Sequence, residues 1–206
     1  AISGFCGLAL EVLWTRLLAM IFLGTTYAYS AMLTTLLCGI AIGGAAGALL
    51  ADRIRARQAC AGIAMLLGGI ATVWMLTRFA AMPANILELH RDAGSDWPMV
   101  VRGMFLQAFT ALFLPTFFAG MVFPLLLEAS APATHRIGAR IGRLYAANTF
   151  GGVLGALAGG FLLIPILGTH NGIITLACLL SIAGAALLLF DAAMHPQANE
   201  RLQDAV

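Results

Sequence analysis

Long apolar runs dominate this sequence, and they set what it can fold into. A helix that spans a bilayer needs about 20 mostly apolar residues, because the hydrocarbon core is about 30 Å thick. The chain has six such runs, and we predict spans at about residues 2–23, 28–50, 59–77, 99–127, 144–167 and 172–190. Only 10% of its residues are charged, whereas soluble domains average about 25%. The sequence therefore predicts an all-α, polytopic transmembrane helix bundle.

The arginines between these runs predict how the bundle is oriented. Cytoplasmic loops of membrane proteins carry an excess of basic residues. The loops after the second and fourth spans hold six arginines, namely Arg53, Arg55, Arg57, Arg136, Arg140 and Arg143. The opposite side holds three, namely Arg78, Arg91 and Arg102. We therefore predict an inner-membrane domain over residues 1–190 with both termini in the cytoplasm, and a cytoplasmic tail over residues 191–206.

Two spans carry glycines at every fourth position, which places the glycines on one helix face. These stripes are Gly39, Gly43 and Gly47 in the second span and Gly151, Gly155 and Gly159 in the fifth. Small residues let helix backbones approach closely in lipid. The stripes predict close helix packing, within the chain or with a partner, and a ligand groove is the alternative. Pro115 and Pro124 can each kink the fourth span, because proline removes a backbone hydrogen bond.

A few polar residues lie where lipid is the expected solvent. They are Glu11, Arg16, Gln107, Glu128 and Asn148. Intramembrane ionisable residues usually face the bundle interior and have partners. Glu11 and Arg16 are five residues apart, about 140° around a helix, so they do not form the usual i,i+4 pair. We expect each to contact another helix, for example at Asn148, Tyr145 or a free backbone carbonyl.

A second interpretation of these positions stays open. In it, Arg16 extends its guanidinium to the membrane surface, and Glu11 lies in a water-filled opening of the bundle. We predict that Glu128 is a solvated helix end.

The sequence contains no recognisable catalytic or cofactor-binding pattern. No P-loop, no HExxH helix and no Ser/His/Asp arrangement occurs. The four histidines lie in or beside predicted loops, and no two cysteines form a CxxC pair, so we predict no metal and no cofactor. The net charge of +2 excludes an electrostatic footprint for nucleic acid.

A faint internal similarity links the two halves of the chain. "YAYS" (27–30) opens the second span and "YAAN" (145–148) opens the fifth, and each is followed by a glycine stripe. Repeats of three helices have inverted topologies in the membrane, because three is an odd number. These matches predict two inverted repeats.

Four stretches of this sequence form a recognisable set. They are "SGFCGLALEVLWTRLL" (3–18), "GTTYAYSAML" (24–33), "GMVFPLLLEA" (120–129) and "GRLYAANTFGGVLGALAGGFLLIPILG" (142–168). Together they resemble the membrane domain of bacterial spermidine synthase-like proteins, which are fused major-facilitator-like/spermidine synthase proteins. "GALLADRIRAR" (47–57) also resembles the cytoplasmic loop between the second and third helices of major-facilitator transporters, with Asp52, Arg53 and Arg57 as its charged positions. The resemblance implies a major-facilitator-like half.

In that family the membrane domain usually precedes a Rossmann-like aminopropyltransferase domain, which binds decarboxylated S-adenosylmethionine and a polyamine. This sequence has no glycine-rich nucleotide loop and no acidic polyamine pocket. The resemblance therefore implies aminopropyltransferase activity only together with a soluble domain that is not part of these residues.

Three functions follow as hypotheses. The first is a membrane anchor or assembly subunit for a catalytic or redox partner. The second is half of a transporter for a polyamine-like or cationic solute, which would need a homodimer. The third is the membrane part of a polyamine aminopropyltransferase. The expected contacts are the lipid bilayer and either protein partners or further copies of the chain, without nucleic acid.

Overall fold

The computed structural model describes residues 1–22, 26–54, 56–94, 96–130 and 137–194, where every regular element is a helix. The helices are α1 (Ile2–Ile21), α2 (Thr26–Arg53), α3 (Arg57–Ala93), α4 (Trp97–Ala129), α5 (Ile137–Ala158), a π-helical turn (Gly159–Leu163) and α6 (Ile164–Met194). Five helical stretches in this part of the chain are long and apolar enough to cross a bilayer, with Gly138–Met194 taken as one. The all-α prediction is confirmed, and the apolar helices suggest contact with lipid. Arg55, Arg136 and residues 195–206 of the expected tail lie outside the described residues.

The polar interval between the third and fourth predicted spans is mostly helical. α3 has 37 residues and is therefore about 55 Å long, well beyond the thickness of the hydrocarbon core. Gly94 ends α3 with a φ of 54°, which favours glycine because a Cβ is strained there. Asp96 then caps α4 by accepting a hydrogen bond from the Met99 backbone N–H at 3.3 Å. α4 continues through Pro115 and Pro124 to Ala129.

Both glycine stripes pack against other helices of the same chain. α2 lies against α4 so closely that a Cβ at a stripe position would overlap α4 atoms. The overlapping pairs are Gly39 with Thr116 and Phe113, Gly43 with Phe117, and Gly47 with Met121. α5 lies against α1 in the same way, with overlap in the pairs Gly151 with Ala1 and Gly155 with Phe5, and with a tight contact between Gly159 and Ala9. The stripes therefore serve packing within the chain.

The same contacts give the relative directions of the helices. In both stripe interfaces the residue numbers rise together, so α2 runs parallel to α4, and α5 runs parallel to α1. α3 and α6 run antiparallel, because Gly62 meets Gly184 while Gly69 meets Ala177. α3 and α4 form a hairpin, with Gly103 against Leu89.

The contacts recur with one fixed offset along the chain. Gly151 follows Gly39 by 112 residues (151 minus 39), and the same offset separates the other glycines and their partners in the two stripe interfaces. It also relates the Gly120–Ile40 contact to the Gly152–Leu8 contact. These agreements come from packing geometry and not from sequence identity, and they relate helices α1–α3 to the second half of the chain.

Gly168 interrupts the helical run that follows α5. Its φ of 75° and ψ of 169° are not helical, and glycine tolerates this conformation because it has no Cβ. The position that precedes Gly168 by the same offset is Ala56, which lies immediately before α3. The break in the second half thus lies where α2 and α3 are joined in the first.

Candidate solute cavity

A cavity of about 240 Å³ lies within the bundle, and all six helices contribute to its wall. α1 lines it with Ser3, Gly7, Glu11 and Trp14, which are spaced three or four residues apart. Such spacing places side chains on one face of a helix. α4 lines the opposite side with Pro115, Ala119, Val122 and Phe123.

The fixed offset of 112 residues pairs much of this wall, so the cavity lies between the two halves of the chain. Seven wall pairs share this offset, among them Ser3 with Pro115, Glu11 with Phe123, and Leu36 with Asn148. In each of these three pairs one member is polar and the other is apolar, and the polar member belongs to α1 or α5.

Glu11 is the one charged residue in the described wall of this cavity. It lies near the middle of α1 and is half-buried. The Thr15 hydroxyl donates a hydrogen bond to the Glu11 backbone carbonyl at 2.7 Å, so this bond does not engage the carboxylate. Among the described residues, the one ion pair within 4 Å joins Arg57 and Glu128, so no cation of the chain neutralises Glu11 there.

Trp14 supplies a second unusual group to the same wall. Its side chain is 3% exposed, and its Nε1–H is buried without a hydrogen-bond acceptor among the described residues. Leaving a buried donor unpaired costs about 1–3 kcal/mol, so such groups normally have a partner. Trp14 follows Glu11 by three residues, which places both on one face of α1.

Other polar groups of the cavity are already engaged within their own helices. The hydroxyls of Thr72 and Thr116 each donate to a backbone carbonyl one turn earlier, at 2.7 Å. The groups that remain for a ligand are the Glu11 carboxylate, the Trp14 N–H, the Asn148 amide and the Ser3 hydroxyl. This set can hold a small polar or charged molecule.

A second cavity, of about 320 Å³, adjoins the first and shares Ser3, Met65, Phe123 and Asn148 with it. Its remaining wall includes Leu127 of α4 and Leu144 of α5. It therefore lies toward the end of the bundle where α4 ends and α5 begins. The Phe123 ring also contacts the exposed Tyr145 ring edge-on, with centroids 4.6 Å apart.

Glu128 lies at the end of α4 with a partly exposed side chain, and it also has a partner. Its carboxylate lies 3.8 Å from the Arg57 guanidinium, and the side chains are 46% and 34% exposed. Arg57 also donates to the Ala51 carbonyl at 2.8 Å. Arg57 thus ties the ends of α2 and α4 to the start of α3, while Asp52 and Arg53 are exposed.

This pair gives a prediction about stability. Glu128→Gln should lower the thermal unfolding midpoint in detergent slightly, since exposed ion pairs contribute about 0.2–1 kcal/mol. The difference from wild type should shrink in about 1 M salt, where the Debye length is about 3 Å. Asp52→Asn is the matched control and should change little. A salt-independent loss larger than about 2 kcal/mol would contradict an exposed pair.

The other predicted polar residues lie apart from the cavity. Arg16 is exposed on the outside of α1. Gln107 accepts a hydrogen bond from the Asn85 side chain at 3.4 Å and so links α4 to α3. Of the polar residues singled out in the sequence, Glu11 and Asn148 line the cavity together. Among the described residues, no three His, Cys, Asp or Glu side chains are grouped to hold a metal ion.

In comparisons with known proteins, no protein-family model, no curated protein and no solved structure matches the sequence.

Proposed function

We propose that the chain crosses the membrane six times, as two inverted three-helix repeats that together form a major-facilitator-like half. Gly168 would be the turn between the fifth and sixth crossings. Two observations support this: α5 runs parallel to α1 while α6 runs antiparallel to α3, and Gly168 matches Ala56 in the common offset. Both termini and the arginine-rich loops would then lie in the cytoplasm.

We infer from this arrangement that the chain is half of a transporter for a small solute. The observation that carries the proposal is the cavity between the two repeats, with Glu11 near the middle of a membrane helix. Transporters built from inverted repeats bind substrate near the bilayer midplane, at the interface of the repeats. A charge at that depth is costly and usually functional. Six helices are few for a carrier, so a second copy of the chain would complete it.

Uptake by the purified chain in proteoliposomes tests this function. Radiolabelled amines, amino acids and sugars are supplied outside, and protein-free liposomes give the background. We expect saturable uptake of at least one class. Background uptake of every class would contradict the proposal.

A second candidate function is an anchor for a catalytic or redox partner, as the family resemblance implies. One observation favours it: α3 and α4 are longer than a bilayer requires, and the end of α3 stays paired with the start of α4, through Asn85 and Gln107 and through Leu89 and Gly103. Such a hairpin offers a surface outside the membrane. Gentle purification of the native protein tests this candidate. A stoichiometric partner would support it, and a monodisperse chain without any partner would count against it.

A further inference from the structure

We infer that the Glu11–Trp14 side of the cavity binds the head of a small amino alcohol, meaning a protonated amine with a hydroxyl on the neighbouring carbon. This inference rests on the proposed carrier function and names its substrate class. Three features of the cavity lead to it, namely its charge, its unpaired donor and its apolar body.

The charge of the wall selects a cation. Glu11 is the one ionisable residue of the described wall, and no cation of the chain lies within 4 Å of it in the described ranges. Removing a carboxylate from water is costly unless a partner of opposite charge is present. A ligand with one positive charge supplies that partner. An anion would meet a like charge and no basic group.

The unpaired indole selects an acceptor beside that cation. The Trp14 Nε1–H is buried and has no partner, and Trp14 lies one helical turn from Glu11 on the same face. A protonated amine has donors only and cannot accept this hydrogen bond. A neighbouring hydroxyl oxygen can. The two groups of the wall therefore correspond to two adjacent groups of the ligand.

Apart from the Ser3 hydroxyl and the Asn148 amide, the part of the wall left for the ligand is mostly apolar and selects an apolar body. Leu36, Met65 and Leu180 line the cavity, and burying a ligand's apolar surface against them is favourable. The volume of about 240 Å³ is below the range of about 300–1,000 Å³ that is usual for drug-sized ligands. A sugar would leave most of its hydroxyls unpaired against these side chains, and this costs affinity.

Calorimetric titration of the chain in nanodiscs tests the inference, with empty nanodiscs to subtract partition into lipid. The probes are 1-amino-2-hexanol, hexylamine without the hydroxyl, and 1,2-hexanediol without the charge. We expect the amino alcohol to bind at least about tenfold more tightly than either relative, because each relative leaves one wall group unpaired. Equal affinities, or no binding of the amino alcohol, would overturn the inference.

Two conservative variants assign the contacts. Trp14→Phe keeps an aromatic ring and should reduce amino alcohol binding to the level of hexylamine, whose own affinity should not change. Glu11→Gln should remove the advantage of the amino alcohol over the diol. Trp97→Phe is the matched control, since Trp97 is 45% exposed and outside the cavity wall. If Trp14→Phe still bound the amino alcohol more tightly than hexylamine, water alone would satisfy the indole N–H. The assignment of the ligand hydroxyl to Trp14 would then be wrong.

The transport assay separates this inference from the proposed function. If the chain transports a solute of another class and does not distinguish the three probes, the substrate class is wrong and the carrier function stands. If it neither transports a solute nor binds a probe, both are wrong.

Discussion

Glu11→Gln is expected to reduce solute uptake in proteoliposomes by about 100-fold, to near the protein-free background, if the solute is a cation. The reason is that this carboxylate lines the cavity without an ion-pair partner in the described structure, so a cationic solute would be its counter-charge. Breaking a buried charge pair costs about 3–5 kcal/mol. Glu11 is only half-buried, so we take the lower end of that range, and each 1.4 kcal/mol is about tenfold in affinity. The amide keeps the shape and the hydrogen-bonding oxygen, so the loss reports the charge.

The control for this variant is Asp92→Asn. Asp92 is an exposed carboxylate near the end of α3, outside the cavity wall. Its removal alters the net charge of the protein by the same amount and should leave uptake unchanged. Equal uptake by wild type and Glu11→Gln would remove Glu11 from any binding role.

Gly43→Ile and Gly155→Ile are each expected to destabilise the bundle strongly. A Cβ at either position would overlap a backbone carbonyl oxygen, that of Phe117 or that of Phe5. A backbone cannot yield as a flexible side chain can, so the two helices must separate. Overpacking of a tight interface costs about 1–3 kcal/mol and occasionally more. We expect a lower thermal midpoint and partial loss of the monodisperse peak in size-exclusion chromatography.

The two variants also test the repeat, because Gly43 and Gly155 occupy equivalent positions in it. Their effects should be similar. Gly142→Ile is the matched control on α5, where a Cβ would meet nothing within 4 Å. If Gly43→Ile or Gly155→Ile behaved like this control, the corresponding helix pair would not be in close contact.

The all-helical class and the packing glycines could be predicted from the sequence, and the reason is physical. Lipid contributes no hydrophobic drive between helices, so a close interface must be encoded by small residues at a fixed spacing. Gly39 and Gly151 could therefore be recognised. Their partners could not, because the α4 and α1 surfaces that receive them are ordinary apolar side chains such as Phe117 and Phe5.

Only some of the cavity residues could be predicted from the sequence. Glu11 and Asn148 were recognisable because polar side chains are rare in apolar runs. The sequence did not identify Trp14 as a cavity residue, because a tryptophan in an apolar run usually only packs against neighbouring helices. The available signal was its spacing of three residues from Glu11. Nothing in the sequence indicates that Phe123 lines the cavity. Its correspondence with Glu11 becomes visible only from the contacts between the helices.

The contact between Glu128 and Arg57 could not be predicted from the sequence, because the two residues are 71 positions apart and no local pattern links them. That contact depends on α2 and α4 ending at the same level of the bundle. Their alignment follows from the glycine interface and not from any loop sequence.

The cavity joins two inverted repeats only if the chain turns back at Gly168, and cysteine labelling from each side of the membrane measures this directly. Ala56→Cys, Asp92→Cys, His170→Cys and Met194→Cys are made singly, with the four native cysteines replaced by alanine. We expect a membrane-impermeant maleimide to label Ala56→Cys and Met194→Cys from one side, and Asp92→Cys and His170→Cys from the other. Labelling of Met194→Cys from the side that labels Asp92→Cys would mean five crossings and would contradict the inverted repeats.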